Sequence, residues 1–310
     1  MRKTRKTIQV LLQEMCEQHQ SNKKWNTASL YSSVITKVNK FSKGKDILLD
    51  AITPTWLKSF EAYLRSTGNC WNTVSTYMRI LNAAYNEAVM NGCAKFRPLL
   101  FNKVYTGVVS DRQNALDIHD MEKLLKQCFS QSDILKPKQQ ETLQYFVLMF
   151  LLRGMPFVDM VYLKKSELKR NIISYRRMKT GRPLVVEVED PAKHLIQILM
   201  SHDESSPYLF PFLHHADGTQ EAYKEYKTIL KGFNNRLNAI GKALGVSQKI
   251  TTYAARHTWV TIAFNCNINT AIISQSVGHS SIKVTEIYLK PFQQAAINDA
   301  NRQVIQAVMP

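Results

Sequence analysis

The chain is poor in cysteine, in acidic residues and in long apolar runs, and each shortage excludes something. Its five cysteines, Cys16, Cys70, Cys93, Cys128 and Cys266, are widely spaced and form no CxxC pair. An odd, scattered set suits neither a zinc site nor a disulfide framework, and fits the reduced thiols of a cytoplasmic protein. The longest apolar run, residues 145–152, is too short to span a bilayer and reads as one buried helix. The basic and then apolar start is interrupted by Glu14, and no small-residue cleavage site follows it, which excludes a signal peptide. No GxxxxGKT, GxGxxG, HExxH or GxSxG stretch occurs. His214-His215 and His202-Asp203-Glu204 are the nearest approach to a metal motif. Adjacent residues in loop-like sequence rarely make a ligand set, so no metal is expected. The chemistry must run without a cofactor.

Basic charge is what the chain has in excess. Lys and Arg number 41 against 24 Asp and Glu, for a net charge of +17, and the pI is about 9.6. A surplus of this size predicts a polyanionic partner, because neutralising phosphates releases condensed counterions. Residues 1–112 hold 17 basic and 7 acidic residues, and the remainder holds 24 and 17. Both parts are basic, as expected of two domains that grip double-stranded DNA rather than of one basic tail.

Apolar residues fall at helical spacing around Ile8–Met15 and Leu30–Phe41. A third helix is predicted after the Thr53-Pro54 cap and ends at Ser66-Thr67-Gly68. A fourth runs from about Asn72 to Asn91-Gly92. With no clear strand among them, these segments predict a helical first domain over residues 1–105. Lys37, Lys40, Lys43 and Arg79 are its candidate DNA-binding residues. A linker is expected at 106–114 and a second domain at 115–310. Helices are predicted near Leu116, at 138–152, from Ala192, at 221–244 and at 253–266. A β-hairpin is predicted around Thr180-Gly181, and a tail helix at 292–307. The fold class is therefore mainly α with one small β-sheet.

A constellation of chemically capable residues lies near the C-terminus. Tyr253-Ala-Ala-Arg256-His257 places residues 253 and 256 on one helical face. Farther on, a Gly-His pair ending at His279 precedes Tyr288 by nine residues. At this point the chain resembles the tyrosine recombinase (phage integrase) family. In that family a His-x-x-Arg-His helix and a Leu-Gly-His segment lead to the nucleophilic tyrosine at the same spacing. Arg256, His257, His279 and Tyr288 match position by position. Lys179 lies in a Lys-Thr-Gly turn, where the family keeps a catalytic lysine. The resemblance covers nearly the whole chain. It implies a SAM-like core-binding domain, a DNA breaking-rejoining catalytic domain, and an enzyme performing integration, excision or inversion.

These residue types suit attack by a phenolate on a phosphodiester. The phosphorane carries extra negative charge, which fixed donors stabilise by about 3 kcal/mol each in related acyl-transfer sites. Arginine stays protonated and can bond two oxygens at once. The leaving 5′-hydroxyl needs a proton, which a lysine such as Lys179 can supply. A 3′-phosphotyrosine conserves the bond energy, so no nucleotide is consumed.

The family pattern is broken twice. Its first arginine stands in Gly-Leu-Arg-x-x-Glu, whereas here Gly154-Met155-Pro156-Phe157-Val158-Asp159 puts Pro156 at that position. Arg153, three residues earlier, is the first candidate for the missing cation, with Arg176 and Arg177 as alternatives. Tyr253 stands where the family has His, and its hydroxyl can donate a hydrogen bond but carries no positive charge near neutral pH. Asp159 and His257 are expected to support the site from behind. Two further readings are a catalytically decayed DNA-binding accessory protein and a type IB-like topoisomerase. Retention of Lys179, Arg256, His279 and Tyr288 argues against decay. The two-domain size and the tail favour recombination, with the tail docking on a neighbour in a tetrameric synapse.

Overall fold

The structure, a computed structural model, describes residues 6–108, 114–130, 133–279, 281–286 and 294–309. The chain divides into two compact units. One comprises Met1–Asp111 with Gly218–Tyr223, the other Arg112–Asp217 with Lys224–Pro310.

Four helices build the first unit: α1 (Ile8–Ser21), α2 (Trp25–Phe41), α3 (Pro54–Ser66) and α4 (Trp71–Met90). Local chemistry fixes several of their ends. The Thr7 and Thr53 side chains accept from the Val10 and Trp56 amides, and Pro54 begins α3 where its missing N–H costs nothing. Gly68 and Gly92 follow α3 and α4 with positive φ. The inward faces join in one apolar core that includes Leu12, Val34, Phe60 and Met78. Its buried carboxylate, Glu61, accepts from Lys58 and, at 2.6 Å, from the Tyr105 amide.

The second unit is also mainly helical. It contains α5 (Ile118–Cys128), α6 (Pro137–Leu151), the short α7 (Phe157–Val161), α8 (Asp190–Leu199), all but the first turn of α9 (Gln220–Ala243), α10 (Ala254–Asn265), α11 (Thr270–Ser276), α12 (Ile282–Glu286) and α13 (Gln294–Gln306). The predicted hairpin is present as β2 (Ile172–Arg176) and β3 (Pro183–Glu187), extended by a two-residue β1 (Leu168–Lys169). The sheet is antiparallel in the order β1-β2-β3, with Tyr175 opposite Leu184. The apolar run of α6 is the hub of the unit, with Leu143 and Tyr145 through Met149 all buried.

Two packing details set up the site. Val260, Ala263, Ile273 and Val277 form a small apolar cluster that clamps α10 to α11, with Trp259 and Phe264 packed against it. Fully burying each such Val or Ile side chain contributes roughly 1.5–3 kcal/mol. The cluster fixes the main chain at Val277. Thr258, buried on α10, accepts from the Leu116 amide at 2.8 Å and ties that helix to the segment ahead of α5.

Candidate active site

Arg256 lies on α10 and is 1% exposed. Its Nη1 donates to the Gly154 carbonyl at 3.2 Å, and its Nη2 donates to the Val277 carbonyl. Gly154 has φ +67°, and a Cβ there would lie 2.8 Å from the Arg256 Cα. Only glycine permits this approach. Arg153, at φ +58°, makes the other half of the chain reversal after α6.

A second arginine reaches the same place from the hairpin. Arg177 is buried, and its Nη1 donates to the carbonyls of Val277 (2.9 Å) and Gly278 (3.2 Å). Two guanidinium groups thus converge on the Val277 carbonyl. The Arg177 Nε donates to the Asp159 carboxylate at 3.1 Å. The other Asp159 oxygen accepts from the Met178 amide at 3.0 Å. Burial pushes the Asp159 carboxyl up, while Arg177, the Met178 amide and Arg256 oppose that rise. Gly278, at φ +65°, is the second close approach, since a Cβ there would lie 3.0 Å from the Arg177 Cδ.

His279 follows directly. It is buried, its amide donates to Ser274 at 3.0 Å, and its carbonyl accepts from Arg182. Its Nδ1 lies 2.8 Å from the Thr285 hydroxyl, which is also fully buried. Burial first, then the charges of Arg256, Arg177 and Lys179, push the imidazole down to about 3. His257 packs edge-on against Tyr253, ring centroids 4.8 Å apart, and burial with Arg256 pushes it down to about 4. Both rings are neutral at physiological pH.

Lys179 is exposed in the β2–β3 turn, where the Gly181 amide donates to the Arg177 carbonyl at 2.8 Å. Tyr253 is 44% exposed at the start of α10. The Arg153 guanidinium donates to the Val185 carbonyl on β3 at 3.3 Å, and Arg176, exposed, donates to the Gly181 carbonyl. Pro156 stands at the head of α7. Tyr288 lies outside the described residues. In the first unit Lys40 and Lys43 are exposed, and Lys37 is half-buried. Arg79, also exposed, lines a cavity of about 530 Å³ with Arg97, Asn82 and Asn86. His214 and His215 both direct Nδ1 at the Glu225 carboxylate, at 2.6 and 3.1 Å. Among the described residues no group of three or more His, Cys, Asp or Glu could hold a metal ion. Nor is any helix there long and apolar enough to cross a membrane.

Sequence reasoning overlooked Thr285 and Arg182, and it ranked Arg177 behind Arg153. The signal for Arg177 was available. Ile173 and Tyr175 point inward by the two-residue period of β2, and the same parity carries Arg177 inward and Arg176 outward.

Two buried arginines beside a Gly-His turn, in a helical unit preceded by a separate basic helical one, are the features of a tyrosine recombinase. The chain belongs to the phage integrase family: residues 114–295 match that family, and residues 7–104 match the phage integrase SAM-like domain. Tyrosine recombinase XerA of Saccharolobus solfataricus is 26% identical over 128 residues, covering 41% of this chain and 38% of that protein. Tyrosine recombinase XerA of Pyrococcus furiosus is 22% identical over 262 residues, covering 76% of this chain and 88% of that one. Among solved structures, the Tn1549 transposon integrase in complex with transposon right end DNA superposes with a TM-score of 0.70 at 15% identity. That match covers 97% of this chain and 100% of the other. A lambda integrase tetramer bound to a Holliday junction gives a TM-score of 0.61 at 15% identity, covering 89% and 78%. At such identities the structural likeness establishes the fold.

Proposed function

We propose that this protein is a site-specific DNA recombinase that cuts and rejoins strands through a 3′-phosphotyrosine on Tyr288, in integration, excision or inversion. The observation that carries this reading is the convergence of Arg177 and Arg256 on the Val277 carbonyl, beside the Gly278-His279 turn. Two fixed cations there suit a phosphate whose oxygens gain charge as it is attacked.

In this mechanism the Tyr288 phenolate attacks the scissile phosphorus while the bond to the 5′-oxygen breaks. Arg256 and Arg177 neutralise the non-bridging oxygens, and His279 and the Tyr253 hydroxyl donate hydrogen bonds to them. Lys179, in its exposed turn, gives a proton to the departing 5′-oxygen, which leaves as a hydroxyl. Attack by a 5′-hydroxyl of another strand reverses the step and releases Tyr288. Arg177 takes the place of the arginine absent at Pro156. It displaces Arg153 in this role, because it shares the Val277 acceptor with Arg256 whereas the Arg153 guanidinium lies at Val185 on β3. Asp159 orients Arg177, and His257 packs beneath Tyr253. Lys37, Lys40, Lys43 and Arg79 hold phosphates outside the cleavage site.

The deciding experiment is incubation with a nicked suicide substrate, resolved on a denaturing gel. A covalent protein–DNA adduct is expected from the parent and none from Tyr288→Phe. An adduct in that variant would reassign the nucleophile.

The assembly on double-stranded DNA is a homotetrameric synapse. Support comes from α13 and its end, where Val304, Ile305, Val308 and Met309 are exposed. An apolar stripe of this kind suits docking on a neighbouring subunit. Deleting residues 292–310 should leave binding of a single site intact and abolish synapsis in a gel-shift assay. Normal synapsis by the truncated protein would remove the tail from the assembly.

A further inference from the structure

As a donor to the phosphate, His279 can carry its ring proton on either nitrogen. That choice decides what the ring can do. An imidazole without charge has one N–H donor and one bare acceptor nitrogen. Only the Nε2–H form, with Nδ1 bare, can donate from Nε2 to an oxygen that is gaining negative charge.

The surroundings of His279 point to a neutral ring. The groups that act on it most strongly are Arg256, Arg177, Lys179 and His257, all bases, and Arg182 donates to its carbonyl. Burial first, and then the charges of Arg256, Arg177 and Lys179, would oppose a further positive charge here. The cationic imidazole, which would donate from both nitrogens, is therefore not the working form. A partner at Nδ1 bears on the tautomer. The Nδ1 atom lies 2.8 Å from the Thr285 hydroxyl, and both residues are buried from competing water. A hydroxyl can donate or accept, so the pair is consistent only in two ways. Either Thr285 donates to a bare Nδ1, or it accepts from Nδ1–H.

We propose that Thr285 is a positioning residue whose hydroxyl donates to His279 Nδ1, keeps the ring proton on Nε2 and so aims a neutral hydrogen-bond donor at the scissile phosphate. This rests on the reading of the site as a phosphate-cleaving centre, within which a bare Nε2 would face an anion with a lone pair. Thr285 sits on α12, three residues ahead of Tyr288 in the chain. The hydroxyl that sets the donor therefore belongs to the same short stretch of sequence as the nucleophile. Displacing α12 from His279 would remove the hydrogen bond that holds the tautomer.

The test separates tautomer from activity. Full-length protein labelled with 15N at histidine, free of DNA, is studied by two-bond proton–nitrogen correlation, with His279 assigned through His279→Gln. The parent and Thr285→Ser should show a bare Nδ1 and a protonated Nε2. Thr285→Val, nearly isosteric, should lose that preference. On the suicide substrate Thr285→Val should cleave about 10²-fold more slowly, the scale of one lost transition-state donor. Thr285→Ser should restore cleavage to within a few-fold, and DNA affinity should be unchanged in both. A protonated Nδ1 in the parent overturns the proposal, and so does parental cleavage by Thr285→Val. Because the parental tautomer is read directly, a poorly folded valine variant does not rescue the idea. Absence of any adduct from the parent would instead sink the strand-cleavage reading and leave the tautomer result standing.

Discussion

The two units of the molecule handle charge in opposite ways. The first keeps its lysines and Arg79 on the outside of an apolar core, with Glu61 as its buried charged residue among those described. The second draws Asp159, Arg177, Arg256 and His279 into its interior and surrounds them with main-chain acceptors. Exposed cations in high dielectric grip a polyanion adjustably and are screened by salt. Buried, immobile cations respond little to salt and hold one geometry, as stabilisation of a transition state requires. On the proposed reading, binding and chemistry call on the same residue types in different dielectric settings.

Breaking the buried pair should have the largest effect. Arg177→Ala and Arg256→Ala should each lower the single-turnover cleavage rate by about 10²–10³-fold, with Arg177→Lys intermediate. Arg153→Ala should stay near parental activity. A strong defect in Arg153→Ala alongside a mild one in Arg177→Ala would restore Arg153 as the second cation. Next comes the close approach that seats Arg256. Gly154→Ala forces a Cβ to 2.8 Å from the Arg256 Cα at positive φ. It should destabilise the protein by about 2–4 kcal/mol in denaturant titration. A loss below 1 kcal/mol would show that the backbone can move aside.

A smaller effect is expected with pH. His279 and His257 are held at about 3 and about 4 when folded, against 6.5 ordinarily. The unfolded chain therefore binds more protons below pH 6.5, and stability falls as pH drops. Between pH 7 and 5 His279 alone should account for about 1–2 kcal/mol. In His279→Gln the acid slope of the melting temperature should be shallower. Equal slopes in parent and variant would mean that the ring is not held neutral. Smallest of all, Lys40→Ala with Lys43→Ala should weaken binding to all DNA sequences alike, by about 1 kcal/mol or less per contact. The slope of log affinity against log salt should fall by about 1 per lost phosphate contact. The cleavage rate on saturating DNA should not change. A cleavage defect at saturation would place these lysines closer to the chemistry than proposed.

Much of this organisation was readable from residues alone. Helix ends carried by side chains, such as Thr53-Pro54 or Asn91-Gly92, are local and were visible. So was the hairpin, because β2 and β3 are bounded by the Thr180-Gly181 turn. Short elements without such a bounding turn were not, and β1, α7 and α11 fall below any window in which a period can be counted. The site divides in the same way. Arg256 and His279 were legible through their spacing. The Val277 carbonyl was not, since every residue has one and only tertiary packing brings two arginines to it. Thr285 was missed because a hydroxyl three residues from a tyrosine has no meaning until the Gly278 turn folds His279 onto it.

The shared Val277 carbonyl also bears on the thermodynamics of the free protein. A dipole joins two like charges there, and Asp159 is the carboxylate bonded at this place. Before DNA arrives, the fold must hold this surplus of positive charge in place. An anion seated between the guanidinium groups would therefore act as a thermodynamic ligand of the native state. At a hundredfold excess over its dissociation constant such a ligand raises stability by about 2.7 kcal/mol. On the proposed reading of the site, the scissile phosphate would be such an anion, a missing piece of the catalytic unit's own folding equilibrium.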